Sequence, residues 1–503
     1  GDIIALGSGG ADQSTIGVVP HDLVLDRLLI RGDPVIGQKR GISLNSASTT
    51  ITNSYIADCK AIGMDTQAIA GWNGPGPYTI SNNYLEGAGE NFMLGGARTM
   101  SADLSPKNVT FTRNHLAKPI AWRDPILTTP MSVRASGQTG GSLPAGTYYY
   151  FVVAARPTAL DAWAWSAKSA QVSATVGAGG QVTVTWTGDS KATVYRVYRG
   201  TSSGTADRFF AATGTSFTDT GSLAPAGTDS GSWIRASRWS VKNLFELKQG
   251  VQVLVDGNLM EGNWVDSQNG FAVLFTPRSE DGMCPWAAVQ DVVFSNNVVR
   301  KSASAISILG VDYSKPSQHA ERIRIVNNIF ERIGSADFPG AGILLQIGDG
   351  AVDVVFDHNT AAQSGNAVVA YGAPNPGFVF TNNVLRHGPY GIKGDGKAPG
   401  SDSIAAYLPG GSVTANAFGC SPNTGACTAK YYPAGNVFLT EADWQAQFVG
   451  YGAFDFRLVT GSVFAGAGTD GTALGADCAA VAAAAAATNT REAPRAPTGV
   501  VIR

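Results

Sequence analysis

Chemistry in this chain of 503 residues would depend on a small set of carboxylates and cations, namely Asp65, Glu90, Lys118, Glu246 and Arg278. Two carboxyl groups placed about a glycosidic bond support hydrolysis, one as acid and the other as base or nucleophile. A Lys or Arg beside a uronate instead supports β-elimination, because a basic group removes the proton α to the carboxylate. We predict these five as catalytic residues, and the sequence alone does not separate the two schemes.

The segment 242–248 indicates how Glu246 is presented. From Phe245 to Lys248 apolar and polar residues alternate as in a β-strand, so with Phe245 and Leu247 facing the interior, Glu246 faces outward. Arg278 follows the end of the next predicted strand, and we expect its guanidinium to approach the Glu246 carboxylate. The structural alternative is an ion pair that only joins adjacent coils.

Tryptophans in polar loops offer flat apolar faces on which sugar rings can stack. The predicted substrate-binding residues are Trp72, Asn73, Lys248, Trp264 and Trp286. For Trp72, which lies in a Gly/Pro-rich loop, packing over the end of a coil is an equally good interpretation. No metal ligands are predicted.

The elements that must position these residues repeat along the chain. Each unit is a short strand, an Asn at a bend and one or two apolar residues, and the bend residues are Asn83, Asn114, Asn258, Asn297, Asn328, Asn359, Asn383 and Asn416. Asn tolerates the left-handed conformation, and its amide can bond the identical amide one layer away. The pattern predicts a parallel β-helix with these amides in one column and the apolar residues two positions later inside.

Units such as Thr79-Ile-Ser-Asn-Asn-Tyr-Leu resemble those of the right-handed parallel β-helix superfamily of pectate lyases and related polysaccharide enzymes. The resemblance covers about 1–125 and 233–440, and it implies a polysaccharide bound in a groove on the rod. The chain departs from the family in two respects. It has no adjacent Asp pair, as in the polygalacturonase-like hydrolases, and no Arg-x-Pro-x-x-Arg pattern, as in the classical calcium-dependent lyases. No cofactor is therefore certain, and calcium is left open.

The interval of 144 residues between Asn114 and Asn258 predicts an insert. Its alternating segments are typical of a β-sandwich, and Val194-Tyr-Arg-Val-Tyr-Arg resembles a strand of fibronectin type III domains. We expect the insert to make few contacts with the coils. The predicted all-β organisation is a first β-helix part (1–126), a fibronectin III-like insert (127–232), a second β-helix part with closing turns (233–475) and an Ala-rich segment with a Pro/Arg tail (476–503).

Composition excludes several classes of protein. With 62 Gly and only 15% charged residues, the chain differs from coiled coils, helical bundles and disordered chains. A net charge of −2 without a basic run argues against a nucleic-acid partner, and no apolar run is long enough for a membrane span. Cys420 and Cys427 suggest a local disulfide, which favours a secreted or cell-surface protein. The strand-like start suggests that upstream residues have been removed.

The leading hypothesis is a secreted carbohydrate-active enzyme, a polysaccharide lyase or glycoside hydrolase, and it rests on analogy of fold. The alternative is a non-enzymatic surface or matrix adhesin or filament protein that associates with itself through the coil ends. An enzyme predicts converging carboxylates and cations in a groove. An adhesin predicts a flat rod on which those residues are singly paired.

Overall fold

In a computed structural model the chain forms a parallel β-helix, as the repeat predicts. The structure describes residues 1–158, 162–422 and 424–485. Three parallel sheets, of ten, ten and eleven strands, run along the rod, and the chain visits the first, second and third sheet in turn. Strands that are neighbours in a sheet therefore belong to successive coils.

The strands of the rod are short. The first sheet contains Asp2–Ala5, Arg40–Ser43, Gln67–Gly71, Glu90–Leu94, Asn243–Leu247, Phe271–Phe275, Ser304–Leu309, Leu345–Gly348, Val368–Tyr371 and Ile392–Gly394. The second contains Leu23–Asp26, Ala47–Thr52, Gly76–Ser81, Lys107–Thr112, Gly250–Asp256, Val289–Ser295, Ala320–Val326, Val355–Asp357, Val379–Thr381 and Ser412–Thr414. The third contains Leu29–Arg31, Tyr55–Cys59, Tyr84–Gly87, His115–Ala117, Leu259–Asn263, Val298–Ser302, Ile329–Ile333, Thr360–Gln363, Val384–Arg386, Ala417–Cys420 and Val437–Thr440.

The α-helices are short and lie toward the C-terminal side, whereas the 3-10 turns are spread along the chain. The α-helices are Ser401–Tyr407, Glu441–Gln445 and Cys478–Ala485, and the 3-10 turns are Ile16–Val18, Ala102–Leu104, Ile120–Arg123, Ala429–Tyr431 and Tyr451–Ala453. A two-stranded antiparallel sheet joins Phe448–Gly450 to Asp455–Leu458. Within the described ranges no helix is long and apolar enough to cross a membrane. The predicted Pro/Arg tail, 491–503, lies outside the described residues.

The predicted asparagine column is present between the second and third sheets. Each Oδ1 accepts two hydrogen bonds from the Asn of the preceding coil; Asn114 Oδ1, for example, accepts from the backbone N–H and the Nδ2 of Asn83, both at 3.0 Å. Asn258 Oδ1 accepts in the same way from Asn114, at 2.8 and 3.1 Å, although 144 residues separate them. The column then continues through Asn297, Asn328, Asn359, Asn383, Asn416 and Asn436.

The left-handed residue of each bend is not the ladder Asn itself, so this part of the prediction is wrong by one position. The residue before it has positive φ, as Asn82 (55°), Asn327 (59°) and Ala415 (54°) show. This arrangement leaves the ladder amide free to turn inward and bond along the rod. The cost is about 1–2 kcal/mol where the bend residue is neither Asn nor Gly, as at Ala415.

The predicted interior positions are confirmed. The residues two positions after the ladder Asn are fully buried: Leu85, Leu116, Met260, Val299, Phe330, Ala361 and Leu385. On the first sheet, equivalent positions stack Phe92 against Phe245 at a ring-centroid distance of 5.4 Å. One continuous apolar core therefore runs through the coils on both sides of the insert.

Two antiparallel sheets occupy the interval between the coils of Asn114 and Asn258. One contains Met131–Leu143, Gly180–Thr187 and Ser216–Asp219; the other contains Gly146–Pro157, Trp163–Trp165, Val172–Val176, Val194–Gly200 and Arg208–Ala212. The expectation of few contacts with the coils stays a prediction. The core of these sheets continues, through the segments that connect them to the rod, into a cluster with Ala88, Trp122, Trp264 and Phe338.

The predicted disulfide between Cys420 and Cys427 is present, with a Cα–Cα distance of 5.7 Å. Cys59, Cys284 and Cys478 are free thiols, and the first two of them are buried.

The asparagine column predicts a large effect of a single amide. In Asn328→Ala, the N–H and Nδ2 of Asn297 and the carbonyl of Phe294 lose their buried partner. Each unsatisfied group costs about 1–3 kcal/mol, so we expect the free energy of unfolding in urea to fall by roughly 3 kcal/mol or more. The control Arg324→Ala removes an exposed side chain of the preceding strand and should change it by under about 0.5 kcal/mol. Equal stability of the two variants would contradict the proposed role of the column.

Candidate functional site

The two candidate glutamates lie on neighbouring strands of the first sheet. Glu90–Leu94 pairs in parallel with Asn243–Leu247, which places Glu90 beside Asn243 and Met93 beside Glu246. The prediction that these coils become neighbours across the insert is confirmed. Phe245 and Leu247 are fully buried in the rod core, and strand alternation therefore places Glu246 on the outer face.

Glu246 is nevertheless covered, with only 2% of its surface exposed. Asn243 Nδ2 donates to Oε2 at 3.1 Å, and the Thr276 hydroxyl donates to Oε1 at 3.2 Å. The ammonium of Lys248 lies 3.9 Å from Oε1. Neutral and charged donors thus surround this carboxylate.

Glu90 belongs to a chain of hydrogen-bonded side chains at one register position of the first sheet. Gln67 Nε2 donates to Glu90 Oε2 at 2.8 Å, and Gln67 Oε1 accepts from Arg40 Nε at 3.0 Å. Arg40 in turn pairs with Asp2 at 2.8 Å. These four residues and Asn243 occupy matched positions on successive strands, so the chain follows the stacking of the coils.

Within this row of side chains on the first sheet, two buried oxygens lack a hydrogen-bond partner: Glu90 Oε1 and Asn243 Oδ1. The two residues are register neighbours, and Lys242 Nζ lies 3.8 Å from the Glu90 oxygen. A carboxylate can only accept hydrogen bonds, whereas a protonated carboxyl group donates one. A proton on Glu90 would therefore allow it to donate toward the amide oxygen.

The electrostatics favour that proton. Burial, then the charge of Glu246 and that of Asp65, raise the pKa of Glu90 to about 7, against the lowering effect of Lys242. A carboxyl group with a pKa near the working pH is suited to act as a general acid. Glu90 combines this property with a second carboxylate on the adjacent strand.

Asp65 and Lys242 lie at the more exposed edge of the group of side chains around Glu90. The Lys242 ammonium forms an ion pair with Asp65, whose side chain is 46% exposed, and so lies between Asp65 and Glu90. Arg40, Gln67, Lys242 and Asn243 are not among the residues that the sequence predicts as catalytic or substrate-binding. Only their position in the sequence could have indicated a role, since each of them begins, or directly precedes, a strand of the sheet that carries Glu90.

Lys118 does not face an open surface. Its ammonium donates to the carbonyl oxygens of Gly87, Ala88 (3.1 Å) and Gly89 (3.3 Å), and to Asn91 Oδ1 at 2.8 Å. Burial lowers the pKa of Lys118 to about 7, while the charge of Glu90 acts in the opposite direction. The side chain thus fastens the bend that leads into the Glu90 strand, and its predicted role as a catalytic base requires correction.

Arg278 does not take the predicted position beside Glu246. Its guanidinium pairs with Asp312 of the next coil at 3.1 Å. Lys248 is the cation near Glu246, and it also pairs with Glu280 at 2.7 Å. Burial lowers the pKa of Lys248, but the charges of Glu246 and Glu280 outweigh burial and raise it.

The predicted substrate-binding residues are mostly enclosed. Asn73 is fully buried and donates to the carbonyls of Ser8 and Gln13, so its role is structural. Trp264 is buried at the root of the insert, with the Arg123 guanidinium 4.9 Å from its ring. These two predictions are therefore wrong.

Trp72 and Trp286 are half-buried. The guanidinium of Arg40 lies 4.9 Å from the Trp72 ring, which connects this indole to the polar chain of the first sheet. The indole N–H of Trp286 is buried without a partner. Of the predicted stacking residues, only Trp72 thus contacts the arrangement around Glu90.

Two further observations bear on access and on metals. A cavity of about 640 Å³ is lined by His358, Phe456 and Asp470, among others, but not by Glu90 or Glu246. Glu90 is fully buried, so substrate access to it would require movement of the side chains that cover it. In the described part of the chain, no three His, Cys, Asp or Glu residues are grouped as metal ligands, so the structure adds no support for calcium.

Neither protein-family models nor curated protein sequences match this chain. The resemblance to pectate lyases remains a prediction from the repeat units. A function is therefore inferred from the geometry around Glu90 and Glu246.

The raised pKa of Glu90 predicts a pH-dependent stability. Between its ordinary value near 4.5 and about 7, the folded protein holds a proton that the unfolded chain has lost. Stability should therefore fall as pH rises through this window, by on the order of 3 kcal/mol, and the Glu90 contribution should be constant above it. Glu90→Gln should remove this decline in urea unfolding. The surface control Glu321→Gln should retain it, and an unchanged decline in Glu90→Gln would show that Glu90 is not its source.

Proposed function

We propose that the protein is a polysaccharide-degrading enzyme, a glycoside hydrolase whose substrate lies on the outer face of the first sheet. The observation that carries this proposal is a buried glutamate with a pKa near 7, Glu90, next to a second carboxylate, Glu246, on the adjacent strand. Hydrolysis of a glycosidic bond needs this combination of a protonated and an ionised carboxyl group.

The two glutamates take different roles because their surroundings differ. Glu90 holds its proton and would donate it to the glycosidic oxygen as the bond breaks. Glu246 is surrounded by the donors Asn243, Thr276 and Lys248, and would act as the base for a water molecule or as the nucleophile. Asp65 and Lys242 lie where a sugar would enter, and Trp72 is the nearest candidate for a stacking face.

A lyase has less support. β-Elimination needs a basic group that can reach the proton α to a uronate. Lys118 already donates to four oxygens in the bend at 87–91, and Arg278 pairs with Asp312.

The finer identity of the fold belongs to the same proposal. The right-handed, pectate-lyase-like character of the rod and the fibronectin III-like character of the insert are supported by the repeat units and by the two antiparallel sheets that share a core. Secretion is supported by the Cys420–Cys427 disulfide, since disulfides persist in oxidising compartments.

One observation favours the second candidate, a non-enzymatic adhesin or filament protein. Among the described residues, the candidate cation Arg278 pairs with one carboxylate, that of Asp312, as an adhesin predicts. The first coil also exposes Ile3, Val24 and Leu29, which could associate with a second rod.

A panel of polysaccharides tests the enzyme directly. We expect reducing ends to appear with at least one polymer, without the ultraviolet absorbance of an unsaturated uronate. Glu90→Gln and Glu246→Gln should each lower the rate about 100-fold or more, because each removes an acid or base group. Glu331→Gln is the matched control, since that carboxylate lies on the third sheet, where it pairs with Arg300, and its loss should leave the rate unchanged.

The alternatives give different results in the same assay. Ultraviolet-absorbing products would identify a lyase and contradict the assigned role of Glu90. Polymer binding without any cleavage would favour the adhesin. Full activity in both glutamine variants would place the reaction elsewhere on the rod.

A further inference from the structure

The inserted sheets carry an aromatic surface that the proposed active site does not use. Trp163 and Trp233 are 45% and 47% exposed, whereas the other tryptophans of the chain are buried or half-buried. The half-buried ring of Trp165 lies between them, 6.0 Å from Trp163 and 5.1 Å from Trp233. We call these three residues the tryptophan surface. Exposed indoles are costly in water and are typical of surfaces that bind a partner.

The fold holds the tryptophan surface in place before any ligand arrives. Trp163 and Trp165 lie on an edge strand that pairs with Gly146–Pro157. The chain returning to the rod runs beside this strand, because Ser237 exchanges hydrogen bonds of 2.8 and 3.0 Å with Trp165. Ile234, next to Trp233, is buried against the same sheet. The indoles are therefore fixed by the backbone, which lowers the entropic cost of binding.

One basic side chain lies against these rings, and two more lie on neighbouring parts of the insert. The guanidinium of Arg196 lies 4.4 Å from the Trp165 ring and 5.8 Å from the Trp233 ring, and pairs with Asp229 at 3.8 Å. Lys168 lies over Phe151 of the same sheet face, and Arg235 is exposed beside Ile234. In the part of the chain that the structure describes, neither Lys168 nor Arg235 forms an ion pair with a carboxylate. This local positive charge departs from the net charge of −2 of the whole chain.

We propose that the tryptophan surface binds an acidic polysaccharide, one that contains uronate residues. The indole faces would stack on the apolar faces of sugar rings, while Lys168 and Arg235 would pair with carboxylates. The choice of a polysaccharide rests on the proposed function, whereas the preference for an anionic, ring-containing polymer rests on this surface alone. Because single-stranded nucleic acid combines the same two features, it is included in the test.

The test measures retention of the full chain by affinity electrophoresis in gels that contain polygalacturonate, alginate, neutral galactan or oligo(dT). Stronger binding to at least one of the two uronate polymers than to galactan and oligo(dT) is expected, and it should weaken with added salt. The double variant Trp163→Ala/Trp233→Ala should bind that polymer at least tenfold more weakly. The control Tyr313→Ala/Tyr390→Ala removes exposed aromatic rings of the rod, which are 71% and 53% exposed, and should bind as the unsubstituted chain does.

A second variant, Lys168→Gln/Arg235→Gln, separates charge from stacking and should reduce both the binding and its salt dependence. Equal retention of the tryptophan variant and the tyrosine control would overturn the proposal, as would a preference for galactan or for oligo(dT). Failure of the proposed enzyme is recognised separately. Retention in the gel does not require cleavage, and the tryptophan variant should still cleave short soluble oligosaccharides if the enzyme assignment is right.

Discussion

The buried amide column is the interaction on which the rest of this structure depends. Each ladder Asn joins two coils through its side chain, and the bonds run along the rod rather than within one coil. A coil that slipped by one residue would leave these amides unpaired in the core, so the column fixes the register of all three sheets. Glu90 therefore lies beside Asn243, although the insert separates them in sequence.

The site around Glu90 depends on this rigid register because its own interactions are incomplete. A buried carboxyl group with one unpartnered oxygen next to a second carboxylate is destabilising, and only a well-fixed scaffold can retain it. Lys118 contributes from the opposite side by fastening the bend before Glu90. The short strand Glu90–Leu94 thus contributes both to the stability of the fold and to the proposed acid chemistry.

The periodic features could be predicted from the sequence. The amide column, the interior positions and the outward direction of Glu246 all follow from spacing and alternation, which reflect backbone geometry. Long side chains and irregular loops could not be predicted in this way. Arg278 bonds to Asp312 because a loop of the next coil brings that carboxylate near, and Asn73 turns inward toward the carbonyls of Ser8 and Gln13. The partners of Arg278 and Asn73 do not lie at a sequence distance that the repeat fixes.

The place of the insert has a consequence for the order of folding. Consecutive ladder amides are typically 31 residues apart, but Asn114 and Asn258 are 144 apart. Closing the longer loop as a flexible chain costs about 1.4 kcal/mol more. We expect the inserted sheets to form first and bring their two ends together. The coils before and after them would then join without that extra cost, and the junction between Asn114 and Asn258 would form only after the insert has folded.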